Sequence, residues 1–302
     1  MSEYHNPVLL KESVDALIIN ESGIYVDCTF GGGGHSREIV SRLAEEGKLF
    51  SFDQDEDAVN NKIDDPKFEL IEQNFRFLKN NLRFRLIRQV DGVLADLGVS
   101  SHQFDTPERG FSTRFDGELD MRMNQNAKLS AKTIVNEYEQ EDLARIFYDY
   151  GELQGSYRLA KEIVKARAIK PIETIEELKQ IFSFIPKIKE NKFFAQMFQA
   201  LRIEVNDEMA ALKDMLTQCA DVIKPGGRLV IISYHSLEDR LVKRFIKNGM
   251  FDGEPERDMY GNWYAPFKPL HSKVIIPEQD EINENPRARS AKMRIAVRNE
   301  NQ

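Results

Sequence analysis

The sequence predicts an α/β protein: a parallel sheet covered by helices on both faces, interrupted by an all-helical insert. Short apolar runs alternate with helical stretches through the first hundred positions and again beyond residue 207, which is the rhythm of βαβ units. Between Thr106 and Asn206 the rhythm breaks, and helical patterns stand there without a convincing strand. Composition bounds the class. The chain has 302 residues, 41% hydrophobic and 30% charged, with 17 Gly and 11 Pro, which excludes collagen-like and low-complexity chains. Such a length is one large domain or two small ones at ~100–200 residues per domain.

The elements follow in order. Ile24–Thr29 reads as a strand, Ser36–Ala44 as a helix capped by its serine, and Leu49–Phe52 as a second strand. Asp55–Ile63 is a second helix and Phe68–Ile71 a third strand; Asn74–Leu82 is helical and Val90–Asp96 a fourth strand. Arg109–Met123 is irregular. Helical segments follow at Ser130–Glu137, Glu141–Tyr148, Tyr157–Ala168, Ile175–Phe184 and Lys192–Val205, punctuated by Pro171 and Pro186. Glu208–Ile223 is an amphipathic helix ending at Lys224-Pro225-Gly226-Gly227. Arg228–Ser233 is a strand, Ser236–Lys247 a helix, Phe251–Leu270 a loop, and Lys273–Ile276 and Met293–Val297 two final strands. The expected division is a sheet domain of residues 1–106 and 207–302, with residues 107–206 inserted at the C-terminal edge of the strands, where open parallel sheets bind ligands.

Several classes are excluded. The two cysteines, Cys28 and Cys219, imply neither a disulfide framework nor a metal site, and a reducing cytoplasm fits. Met1–Pro7 has no basic region followed by an apolar one, so no signal peptide is read there. No apolar run approaches the ~18 residues of a membrane span. A formal net charge of −8 argues against coating nucleic acid through global charge but leaves room for local basic patches.

Asp27-Cys28-Thr29-Phe30-Gly31-Gly32-Gly33-Gly34-His35-Ser36 follows the first strand and opens a helix. Glycines there let backbone and ligand approach closely. A phosphate-cradling Walker loop needs Gly-Lys-Ser/Thr, which is absent, and the dinucleotide fingerprint needs a third glycine where Ser36 stands. The pattern Asp27…Gly31-x-Gly33, an acid four residues before Gly-x-Gly, is similar to motif I of class I S-adenosylmethionine methyltransferases. Asp53 closes the second strand at the distance where an acid accepts bonds from both hydroxyls of a ribose; Asp55 reads instead as a helix cap.

Further motifs stand at Asp91–Ser101, Glu108–Ser112, Leu119–Met123, Phe198–Asn206, Ser233–Arg240 and Asn285–Lys292. With the glycine loop, this ordered series resembles the MraW-type 16S ribosomal RNA cytosine-N4 methyltransferases of bacteria, from about His5 to Arg298. The resemblance implies a class I S-adenosylmethionine-dependent methyltransferase (Rossmann-like) sheet, with the insert recognising substrate. It implies a cytosine in the decoding region of the small ribosomal subunit as methyl acceptor. It places cofactor contacts on Gly33, Gly34, His35, Asp53, Phe75, Asp96 and Gln103. Phe75 also has a physical reading, as a ring covering adenine or as a core residue at a helix start.

Methylating an exocyclic amine is an in-line displacement, mainly a problem of orientation. Asp96, at a strand's C-terminal end, is placed to accept an N–H hydrogen bond from the amine or to serve the cofactor's methionine end. Where related amino-methyltransferases carry Asp/Asn-Pro-Pro-aromatic, this chain has Asp96-Leu97-Gly98-Val99, so no partner that stacks on the base is identified. His235 either binds substrate or caps the helix after it. For RNA contact, Asn285–Arg298 carries Arg287, Arg289, Lys292, Arg294 and Arg298 without one acid, and Arg76–Arg88 carries five more cations. Lys161, Lys165 and Arg167 lie on an inserted helix. Gln199, Arg202 and Asn206 share a helix face, either lining a substrate cleft or forming a polar outer surface. Cytosine-C5 enzymes need a reactive thiol; Cys28 reads as sheet packing and Cys219 as part of an apolar stripe, so N4 is favoured. The alternatives are a dehydrogenase, a methyltransferase for another acceptor, and an assembly factor that senses the cofactor without chemistry.

Overall fold

The computed structural model describes residues 7–300, so the reading of Met1–Asn6 lies outside the described residues. Helix α1 (Leu10–Leu17) comes first and buries Val14 and Leu17; its brevity hides it from a periodicity reading. Then follow β1 (Ile24–Asp27), α2 (Gly34–Arg42), β2 (Lys48–Phe52), β3 (Phe68–Ile71), α3 (Leu78–Phe84) and β4 (Val90–Asp96). These four strands are parallel, in the order β3-β2-β1-β4. Alternate residues of β1 serve opposite faces: Tyr25 packs with Leu17, Ile39 and Leu49, Val26 with Phe52, Met215 and Phe245.

Four local readings are corrected here. The first strand stops at Asp27, because the Asp27 carboxylate accepts from the Thr29 amide (3.0 Å) and turns the chain out of the ladder. Helix α2 is preceded by Gly33 in the left-handed region and is not capped by Ser36, which lies within its first turn. Asp55–Ile63 is a 3₁₀ helix over Glu56–Asn61, capped by Asp55 as the sequence suggests. Residues 74–82 likewise split into a 3₁₀ turn, Phe75–Phe77, followed by α3.

The chain then builds a second compact unit, Val99–Glu208. It contains α4 (Ser101–Asp105), α5 (Ala131–Glu137), α6 (Gln140–Asp149), α7 (Ser156–Arg167), α8 (Ile175–Ile181) and α9 (Lys187–Asn206). Phe147, Phe182, Met197 and Leu201 lie in its own core. An isolated bridge, Glu118 to Thr174, is its only β pairing among the described residues. Its first junction is at Gly98, ahead of the Thr106 expected from sequence, because α4 packs with the 3₁₀ turn Pro107–Arg109.

The first unit resumes at Met209 within α10 (Glu208–Val222), followed by β5 (Ile223–Ser233), α11 (Ser236–Asn248), β6 (Phe267–Pro269), α12 (Gln279–Glu284) and β7 (Lys292–Arg298). The seven strands run β3-β2-β1-β4-β5-β7-β6, with β7 antiparallel to both of its neighbours. Strand β5 starts earlier than read: Val90 pairs with Ile223 and Gly92 with Arg228, so Lys224–Gly227 bulges from the ladder. The predicted strand Lys273–Ile276 is reduced to a bridge from Ile275 to Met293, ending at Pro277. The edge strand is β6 instead, within the stretch read as loop; its prolines mask it in sequence and are tolerated at an edge. No helix of the described residues is long and apolar enough to cross a membrane.

Candidate active site

Strands β1, β2 and β4 end together, and each end carries an acid: Asp27, Asp53 and Asp96. Between them runs the glycine loop. Gly31 and Gly33 have φ of 50° and 76°, which glycine adopts without strain, and a Cβ on Gly33 would lie 2.9 Å from the Phe30 ring. Asp27 is buried and structural: its carboxylate accepts from Ser36 Oγ (2.6 Å), which also contacts Ser51 Oγ (2.8 Å). These bonds fasten the start of α2 to the ends of β1 and β2.

Asp53 accepts from the Gly31 amide (2.7 Å) at Oδ2 and the Asp55 amide (2.9 Å) at Oδ1. Burial pushes its pKa up to about 6, against the two amide bonds, and the charges of Asp55 and Asp27 push the same way. Each oxygen keeps a second acceptor direction, which is what a pair of vicinal hydroxyls requires. Asp96 accepts from Tyr234 Oη at Oδ1 (2.7 Å), and its Oδ2 lies 3.8 Å from His35 Nδ1. Its own amide donates to Thr29 Oγ1 (2.7 Å). Burial raises Asp96 to about 6 as well, while His35 and Tyr234 pull it down and Asp27 and Glu238 push it up. Burial also pushes the Tyr234 phenol well up, so it remains a proton donor to Asp96. His35 is buried, with Nε2 3.1 Å from the Val8 carbonyl. Nε2 therefore donates to that carbonyl, and Nδ1 is the ring nitrogen turned toward Asp96.

Tyr234 is the residue that sequence reasoning missed. The available signal was a tyrosine one position past β5, next to the strand that carries Asp96. Phe75 opens its 3₁₀ turn half-buried against the sheet core, while Asn74 ties the loop after β3 to Gln54 after β2 (2.9 Å). Phe75 thus serves the core and keeps part of its ring at the surface. His235 is the cap of α11: Nδ1 faces the Glu238 amide at 3.4 Å, and Glu238 accepts from the Tyr234 and His235 amides (2.8 and 3.3 Å). It also lines a cleft of about 220 Å³ with Tyr234, Ser236, Ile282, Arg289 and Lys292. The structure thus brings together His235 and Arg289, which the sequence read separately.

The basic stretch Asn285–Arg298 is not a solvated tail but a 3₁₀ turn, Pro286–Ser290, running into β7. Arg298 is buried and donates to the carbonyls of Ala220 and Pro266 (2.9 and 3.0 Å). Arg294 pairs with Asp239 (2.7 Å), with Lys292 beside it at 3.7 Å. Arg287 is half-buried in the turn, and Arg289 is exposed. In Arg76–Arg88, Arg76 pairs with Asp214, Lys79 with Asp221 and Arg85 with Glu69.

In the second unit the candidates are internally engaged. Gln103 is buried in the capping box of α4, where its Oε1 accepts from the Ser100 amide (3.0 Å). Arg202 pairs with Glu208 (2.8 Å). Asn206 accepts from the Met123 amide (2.7 Å) and donates to the Met121 carbonyl (2.8 Å), and Gln199 donates to the Tyr150 carbonyl (2.8 Å). The face they share is an internal scaffold, not a polar outer surface.

Three carboxylates crowding one sheet edge, two of them pushed up to about 6, make a site that a cationic ligand relieves. S-adenosylmethionine carries a sulfonium and an ammonium as well as a ribose, so the donor set fits it. A model of the MraW methylase family matches residues 2–299. The ribosomal RNA small subunit methyltransferase H of Flavobacterium johnsoniae is 62% identical over 295 residues, covering 97% of this chain and 97% of that protein. The protein of the same name from Christiangramia forsetii is 59% identical over 297 residues, with 98% of each covered. That from Bacteroides fragilis is 58% identical over 294 residues, with 97% of each covered. A match of this extent, over a glycine loop ringed by strand-end acids, has one meaning: the chain belongs to the MraW methylase family and is an S-adenosylmethionine-dependent methyltransferase.

Proposed function

We propose that this chain methylates N4 of a cytosine in the decoding region of 16S ribosomal RNA, on small-subunit particles in the cytoplasm. The observation that carries the proposal is Asp96, held at the end of β4 by Tyr234, a residue that also lines the cleft. Its side chain is 21% exposed, so an incoming group can reach it. Gly33 and Gly34 give the cofactor a close approach to backbone, Asp53 takes the ribose hydroxyls, and Phe75 covers the adenine. Gln103 holds the turn of α4 through its capping bonds, and His35 and Asp96 face the methionine end. When bound, S-adenosylmethionine supplies an electrophilic methyl group.

The chain's own residues then orient the acceptor. The cleft formed by Tyr234, His235 and Ile282 holds the cytosine. Arg289 neutralises a phosphate at its rim, with Arg287 behind it. Asp96 is ionised at neutral pH and accepts a hydrogen bond from the amine, turning its lone pair toward the methyl group. Residues 99–208 act as the recognition domain; Arg202 and Asn206 support it from within rather than reading RNA directly. Burial holds both thiols well up, so neither Cys28 nor Cys219 supplies the thiolate that C5 chemistry requires. The test is labelled methyl transfer to small-subunit particles with mass spectrometry of the nucleosides, using wild type and a Cys28→Ala, Cys219→Ala variant. N4-methylcytidine from both is expected. 5-Methylcytidine, or no product from a folded wild-type enzyme that binds the cofactor, overturns the reading.

A further inference from the structure

The second unit carries a surface that the described site does not use. Helix α7 begins with Ser156-Tyr157-Arg158, and the turn after α8 leads through Phe184 into Lys187-Ile188-Lys189-Glu190-Asn191-Lys192 at the start of α9. The two segments meet where the Arg158 guanidinium lies 5.8 Å over the Phe184 ring. Phe184 rests edge-on against buried Phe182, at 6.0 Å between ring centres, and that packing fixes its position. Phe184 is 51% exposed, Tyr157 57% and Ile188 94%. Around them, Arg158, Lys161, Lys187, Lys189 and Lys192 have no carboxylate partner among the described residues. Some other cations of this unit are paired, such as Lys165 with Glu162 and Lys170 with Glu177.

We infer that this surface binds unpaired nucleotides of the substrate RNA, with bases stacking on Phe184 and Tyr157 and phosphates on the lysines at the start of α9. Charge decides the occupant. Five cations against the one acid of the segment, Glu190, on a chain of net charge −8 call for a dense polyanion. Exposed aromatic faces interleaved with them suit unstacked bases, which single-stranded RNA offers. A protein partner would be expected to meet an apolar patch with a neutral centre. This inference rests on the proposed RNA substrate and names the surface that holds it.

The test uses the full chain in two variants: Phe184→Ala with Tyr157→Ala, and Lys187→Glu with Lys189→Glu and Lys192→Glu. Lys187→Ala with Lys189→Ala is the milder form should the reversed triple fail to fold. Cofactor affinity by calorimetry serves as the control and is expected to stay unchanged. KM for small-subunit particles should rise tenfold or more in both variants, with kcat within about twofold. The lysine variant should flatten the dependence of log affinity on log salt for protein-free 16S RNA, by ~0.7 for each single-strand phosphate no longer neutralised. Unchanged KM and salt slope overturn the inference. Weaker binding to particles with undiminished binding to protein-free RNA also overturns it, since the occupant is then a protein. RNA binding is read without turnover, so a wild type that binds RNA but makes no N4-methylcytidine defeats the proposed reaction and leaves this surface standing.

Discussion

Asp53 and Asp96 owe their properties to burial at the ends of β2 and β4, the two strands that flank β1. Their carboxyls sit near 6, so a cationic ligand binds more weakly as pH falls through that value. Calorimetry should show S-adenosylmethionine affinity dropping between pH 7 and pH 5. S-adenosylhomocysteine, without the sulfonium charge, should drop less. Removing the ribose contacts in Asp53→Ala should cost roughly 1.5–3 kcal/mol, a tenfold or greater loss of affinity; an unchanged affinity in a folded variant would exclude the assignment. Tyr234→Phe removes a bond that lowers the Asp96 pKa, leaving burial to push it further up. The acid limb of the pH–rate profile should then move to higher pH, and an unmoved limb would make Tyr234 merely structural. Asp53 was legible because strand, loop and spacing all sit in one stretch of chain. Tyr234 was not, because 138 positions separate it from Asp96 and only the pairing of β4 with β5 joins them.

At the scale of elements, apolar periodicity located β1 to β4 and α5 to α9 of the insert, since period and burial agree there, but not the five-residue α4. Boundaries failed where side chains override propensity, as at Ser36, which bonds Asp27 rather than capping α2. Charge content misled in part at Asn285–Arg298: a run without acids reads as an RNA contact throughout, yet Arg298 and Arg294 find their partners on α10, α11 and the chain before β6. Gly33 is the element-level hinge between β1 and α2. In Gly33→Ala, a left-handed alanine and a Cβ against Phe30 should lower stability by roughly 1–3 kcal/mol. A thermal melt reads that loss, and calorimetry should show weaker cofactor binding; an unchanged melting temperature would mean the loop relaxes freely.

On the scale of the whole molecule, each unit buries its own apolar core. An isolated fragment of residues 99–208 should therefore be helical by circular dichroism and melt cooperatively, a size at which single domains commonly fold alone. It should retain RNA affinity and show no heat with S-adenosylmethionine. A fragment without a cooperative transition would mean that its core depends on the sheet unit.

Strand β7 lies between β5 and β6, although both precede it in sequence. During synthesis the sheet therefore has a gap that closes only after residues 292–298 have left the ribosomal exit tunnel. Until then β5 presents an unpaired backbone edge, a template for pairing between nascent chains. The insert is complete by Glu208, so it can fold while the sheet is still waiting. A premature stop after Ala291 should yield a chain whose insert resists protease while its sheet unit aggregates. The insert can thus be complete while the sheet unit still lacks a strand.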